Sequence, residues 1–135
     1  MFLLDTNACI RILNNRSPAL VARIRLHGPD ELRLCSVTKA ELLFGAYNSA
    51  RPAENLRLLQ VFFAPYVSLS FDDRCTDAYG RIRFELQHQG TPIGGNDMLI
   101  AAIALANSLT VVTANTREFG RVAGLQFENW EVGGK

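Results

Sequence analysis

Residues 2–7 read Phe2-Leu3-Leu4-Asp5-Thr6-Asn7. An apolar run this short, closed by polar residues, is a buried strand that delivers Asp5, Thr6 and Asn7 at its C-terminal end. Working outward, Ile10 and Leu13, then Leu20, Val21 and Ile24, mark helices divided by Ser17-Pro18, with Ser17 as N-cap and Pro18 in the first turn. His27-Gly28-Pro29 ends the second helix, and Leu32 to Cys35 forms the next strand. Val37 to Tyr47 reads as a helix, with Thr38 and Glu41 at capping-box spacing. Pro52 to Phe63 is another helix, closed by Pro65, and Val67-Ser68-Leu69 is a strand. Asp72 or Asp73 then caps a long helix whose apolar stripe is Cys75, Ala78, Tyr79, Ile82 and Leu86. A turn at Gly90 to Gly95 leads to Asn96, expected to cap a helix from Asp97 to Ser108. Strands at Leu109 to Thr113 and Leu125 to Phe127 follow, and Gly133-Gly134-Lys135 is expected to fray.

Strands alternating with helices imply an α/β fold in which helices cover both faces of a parallel sheet. Sites in such sheets form beyond the C-terminal strand ends, where Asp5 and Asn115 fall. The 135 residues suit a single domain spanning 1–135. The apolar share is 48%, which describes a globular chain, and a net charge of +1 is too balanced for nucleic-acid affinity from bulk charge, so an RNA partner needs a local basic patch. Cys9, Cys35 and Cys75 form no Cys-x-x-Cys pair and fit a reducing cytoplasm as small buried hydrophobes. No signal-like segment opens the chain and no apolar run is long enough for a membrane span, so a cytoplasmic location is expected.

His27 and His88 both read as surface residues, which disfavours histidine general-base chemistry and histidine-rich zinc sites. Nucleophile-elbow, P-loop and dinucleotide fingerprints are absent from the sequence. What remains is carboxylate chemistry. Asp5, Glu41 and Asp97 each stand at an expected helix start within an apolar segment. Each alone suits a cap or a first-turn acid as well as a site. If they converge, their mutual repulsion calls for a hard divalent cation such as Mg²⁺, which polarises a phosphodiester without any histidine.

Five segments, in order and at matching intervals, resemble the PIN-domain family: 3–7 (LLDTN), 36–42 (SVTKAEL), 93–102 (IGGNDMLIAA), 112–119 (VTANTREF) and, for the VapC toxins within it, 125–130 (LQFENW). The resemblance implies a parallel sheet of four to five strands sandwiched between helices, and an Mg²⁺-dependent endoribonuclease, with Mn²⁺ as a substitute. In such a toxin–antitoxin system RNA, most often transfer RNA, is cut to block translation. The toxin is usually a homodimer, and a VapB-type antitoxin neutralises it within a higher hetero-oligomer. Asp5, Glu41 and Asp97 match the family's first three acidic positions and are the expected metal ligands. The fourth is open: Asn115 stands where many relatives carry aspartate, and Glu118 is the nearby acid. Ile103 stands where related toxins often carry histidine. Thr6 and Thr113 are expected to support the site by orienting Asp5, Asn115 or the ion's water.

RNA contact is expected from a basic rim drawn from Arg117, Lys39 and Arg81, with Arg11, Arg83 and Arg121 as further candidates. Some of Phe44, Tyr47 and Phe62 are expected to form an antitoxin groove or a dimer contact. Competing readings are a PIN nuclease of RNA processing, a metal-dependent RNA-binding regulator without turnover, and a phosphatase or phospho-receiver with Asp5 as nucleophile.

Overall fold

The structure is a computed structural model in which residues 1–132 are described; the expected fraying of Gly133-Gly134-Lys135 lies outside them. The chain runs β1 (Phe2–Leu4), α1 (Thr6–Leu13), α2 (Pro18–His27), β2 (Leu32–Cys35), α3 (Ser36–Tyr47), α4 (Pro52–Phe63), β3 (Val67–Leu69), α5 (Thr76–Gln89), α6 (Gly95–Ala106), β4 (Thr110–Val112), α7 (Thr116–Phe119) and β5 (Phe127–Glu128). The five strands form one parallel sheet in the order β3-β2-β1-β4-β5. The expected parallel sheet with helices on both faces is thus observed. All strand C-termini lie along one edge, and β1 is central.

Period-two alternation sorts the strand residues into two cores. Leu3, Cys35 and Val111 face α5 and α6 and pack with Ile82, Leu86, Ile100 and Ile103. Leu4, Leu34 and Val112 face the other side and pack with Leu20, Leu42, Leu59 and Trp130. Burying a side chain such as Leu3 or Ile100 contributes about 1.5–3 kcal/mol each, before the entropic cost of ordering the chain. Ile103, where relatives often carry histidine, is completely buried in the first core, so the position serves packing here. The three cysteines are free and buried. Among the described residues no helix is long and apolar enough to cross a membrane.

Several local expectations change. The capping box at Thr38 and Glu41 does not form, because α3 starts at Ser36 straight from β2, with Cys35 at the N-cap position and no side-chain cap. That shift turns Thr38 into the core and frees Glu41. Likewise Gly94, not Asn96, precedes α6, again without a side-chain cap, which leaves Asn96 exposed. Asp72 caps a short 3₁₀ turn ahead of α5, accepting from the Arg74 N–H at 3.1 Å. The last strand falls at Phe127–Glu128, because Leu125 is committed to the core. His27 is no solvated turn residue: its ring stacks on Trp130 at 4.7 Å and tilts against Phe2 at 4.8 Å, while Nδ1 meets Glu31 at 2.7 Å.

Candidate active site

Asp5 is delivered by β1. Its backbone N–H still bonds Val112, so the residue is fixed by the sheet before the chain turns into α1. Its side chain caps α1, accepting from the Ala8 N–H at 2.8 Å, and it is only 2% exposed. The cap and the site are therefore one residue in two roles. Burial pushes the Asp5 carboxyl up; the Thr113 hydroxyl and the Ala8 N–H pull it down, and Glu131 and Glu41 push it up again. The Thr113 hydroxyl bonds Asp5 and also accepts from the Asn115 N–H at 2.8 Å, so it touches both residues.

Glu41 reaches the same cleft from α3. Thr6 is held there differently from the expectation: its hydroxyl contacts Thr38 Oγ1 at 3.1 Å and Glu41 Oε1 at 2.5 Å, so it orients Glu41 rather than Asp5. Asp97, in the first turn of α6, completes the wall. Its carboxyl is pushed up to about 6, first by burial, then by Glu118, Asp5 and Glu41. Glu118, on α7, is pinned by the Gly94 N–H at 3.1 Å. A Cβ on Gly94 would lie 3.6 Å from Asp97 Oδ2, in ordinary contact, which places this glycine directly beside the carboxylate.

Asp5, Thr6, Asn7, Glu41, Gly94, Asn96 and Asp97 line a cavity of about 320 Å³. The three carboxylates thus meet in one cleft, and Glu118 joins them electrostatically. Asn115 stands at the cleft's flank, lining the adjoining cavity with Glu118. Asn7, which the sequence places at the end of β1 without a role, lines the cleft, whereas Thr38, expected only in a capping box, and Glu131 were not expected at the site. Thr38 is signalled only by its threonine hydroxyl in an apolar helix, and Glu131, paired with Arg11 at 3.1 Å, carried no local signal.

The donors are oxygens, the set preferred by a hard divalent cation, and the repulsion that raises Asp97 is what such an ion relieves. Among the described residues no three carboxylate, thiol or imidazole side chains are already gathered into a cage. The cleft therefore presents separated ligands that a cation would draw together, and its donor chemistry fits.

Of the expected basic rim, Arg117 lines the cavity beside Glu118. Lys39 lies over the Phe63 ring at 5.0 Å, and Arg81 pairs with Glu85 at 3.8 Å. On the α3–α4 side, a groove of about 670 Å³ is lined by Leu13, Leu42, Leu58, Leu59 and Phe62, and Glu41 borders both it and the cleft.

The sequence profile of the PIN domain matches residues 2–125. The tRNA(fMet)-specific endonuclease VapC of Shigella flexneri is 40% identical over 129 residues, covering 96% of this chain and 97% of that one. The crystal structure of VapBC2 from Rickettsia felis, bound to a DNA fragment from its promoter, contains a chain that superposes with a TM-score of 0.90 at 34% identity, covering 96% and 98% of the two chains. The DNA-bound VapBC of Salmonella typhimurium also gives a TM-score of 0.90, at 37% identity with 96% and 97% covered.

Proposed function

The chain belongs to the PIN domain family, within its VapC ribonucleases, and from that premise we propose that Asp5, Glu41 and Asp97 form the active site of an endoribonuclease toxin that cuts transfer RNA. The observation that carries the site assignment is the convergence of Asp5, Glu41 and Asp97 on one cleft, with Glu118 close enough to raise Asp97.

Mg²⁺, or Mn²⁺ in its place, is the proposed cofactor, held by Asp5, Glu41 and Asp97, with Glu118 as the fourth acid and Asn115 as a neutral oxygen donor. When bound, the cation polarises the phosphodiester and makes water a better nucleophile. The chain's own part is positional. The sheet and the α1 cap fix Asp5, Thr113 holds it from behind, and Thr6 aims Glu41. The bare glycines Gly94 and Gly95 leave room for a phosphate. Both histidines lie apart from these contacts, His27 against Trp130 and His88 against Phe84, so carboxylates carry the chemistry.

A VapB-type antitoxin is the proposed partner, since the matching structures are VapBC complexes. The groove between Leu13 and Phe62 suits an apolar helix, and Glu41, shared by groove and cleft, suits a basic residue beside that helix. A homodimer, assembled with antitoxin into a larger complex in the cytoplasm, and a single ribonuclease domain over 1–135 complete the proposal.

The deciding experiment is incubation of total RNA with purified antitoxin-free protein and Mg²⁺, beside an identically prepared Asp97→Asn protein. Discrete fragments that vanish with chelator and with the variant support the assignment. Intact RNA with metal-dependent binding would instead support a regulator without turnover.

A further inference from the structure

An acidic cleft repels RNA, and a net charge of +1 supplies no general attraction. Cations beside the cleft must provide it. Two cavities flank the carboxylates. One, of about 400 Å³, includes Gly94, Asn115, Arg117, Glu118 and Arg121, and shares Gly94 with the cleft. The other, of about 580 Å³, includes Asn7, Arg11, Asn14, Arg16 and Asn115, and shares Asn7 with the cleft. Asn115 lines both, so these two hollows adjoin at it, and each also borders the cleft, through Gly94 on one side and Asn7 on the other.

The arginines in these cavities differ. Arg11 is paired with Glu131 at 3.1 Å, and Arg121 donates to the Pro92 carbonyl at 2.9 Å. Arg16 and Arg117 are exposed, and their guanidinium groups have no hydrogen-bond or ion-pair partner among the described residues. Each keeps its full fork of donors, the geometry that matches a phosphate in two parallel hydrogen bonds. One lies on each side of Asn115.

Resting on the ribonuclease reading of the cleft, we propose that Arg16 and Arg117 bind the RNA phosphates flanking the scissile one, so that the strand crosses Asn115 between them. The contacts are to backbone, so they hold any sequence in register and leave the choice of base to other groups. They also bind substrate and transition state alike, which acts on KM rather than kcat.

The test uses Arg16→Gln and Arg117→Gln, with Arg25→Gln as control; Arg25 is an exposed arginine in the last turn of α2, beside the His27 that packs on Phe2 at the far end of β1 from Asp5. Binding of labelled unfractionated transfer RNA is measured against salt in an Asp97→Asn background, and cleavage kinetics in the otherwise unaltered protein. Each of the two substitutions should lower the slope of log affinity against log salt by about 0.7 and raise KM about 3–10-fold, with kcat within about twofold. Arg25→Gln should change neither. Unchanged slopes and KM in both variants would overturn the proposal, as would loss of antitoxin affinity alone, which would make the arginines a protein-docking pair. If RNA binding depends on both arginines but the unaltered protein cuts nothing, the phosphate subsites stand and the nuclease reading fails.

Discussion

Glu118 presses on Asp97 more strongly than any other charged group does, although the two belong to different elements and Glu118 is held in place by the backbone of Gly94 at 3.1 Å. The amide that precedes α6 thus holds Glu118 on the same side as Asp97. This relationship makes Glu118, rather than Asn115, the stronger candidate for the fourth acidic position.

Glu118→Gln separates charge from geometry, because glutamine still accepts from the Gly94 N–H. The Asp97 carboxyl should then titrate below about 6 in metal-free protein, as read from its side-chain carbonyl carbon by NMR. An Asp97 titration that stays in place would remove Glu118 from the site's electrostatics.

The raised carboxyls carry a stability consequence. Asp97 in the folded chain holds its proton up to about 6, whereas its ordinary value is 3.8. Between those values the folded state binds more protons than the unfolded state, so stability from this group falls as pH rises. Without metal, Asp97→Asn should therefore gain stability over the parent protein at pH 7 and lose that advantage near pH 4. Thermal melts in chelator check this, and Mg²⁺ should reduce the difference at pH 7 by stabilising the parent.

Asp5 has two roles that two substitutions pull apart. Asp5→Asn keeps a side-chain oxygen for the Ala8 N–H, and Asp5→Ala does not. Both should lose cleavage by orders of magnitude, because a metal ligand is gone. Only Asp5→Ala should also lose the cap, at about 1 kcal/mol. Denaturant unfolding of the two variants distinguishes them, and normal cleavage by a folded Asp5→Asn protein would sink the assignment.

Thr6→Val removes the donor that aims Glu41 while keeping the shape of the side chain. Loss of such a supporting contact lowers activity or metal affinity about 10–100-fold. Thr6→Ser, which retains the hydroxyl, should recover most of it in the same cleavage assay.

Much of this was legible along the chain because strand-end acids and apolar runs are local signals. Phe2-Leu3-Leu4 announced β1, and Asp5, Glu41 and Asp97 each interrupted an apolar segment. Contacts across long separations were not legible. The Thr6–Glu41 bond joins residues 35 apart, and it exists only because α3 begins directly at the end of β2. Asn96 had the right residue type for a cap, yet α6 starts two residues earlier than expected, at Gly95, and leaves Asn96 lining the cleft. His27 is half-covered for a related reason: the Trp130 ring stacked on it comes from residues more than one hundred positions away.

The order of strands in the sheet also acts as a timer. Leu3 pairs with Val111, and the residues that complete the cleft, Asp97, Thr113 and Glu118, all follow in the second half of the chain. A polypeptide still emerging from the ribosome carries Asp5 and Glu41, but it has neither the opposite wall nor the hydroxyl that steadies Asp5. Domains fold as units as their last elements arrive. The cleft is therefore completed only once the second half of the chain has joined the sheet.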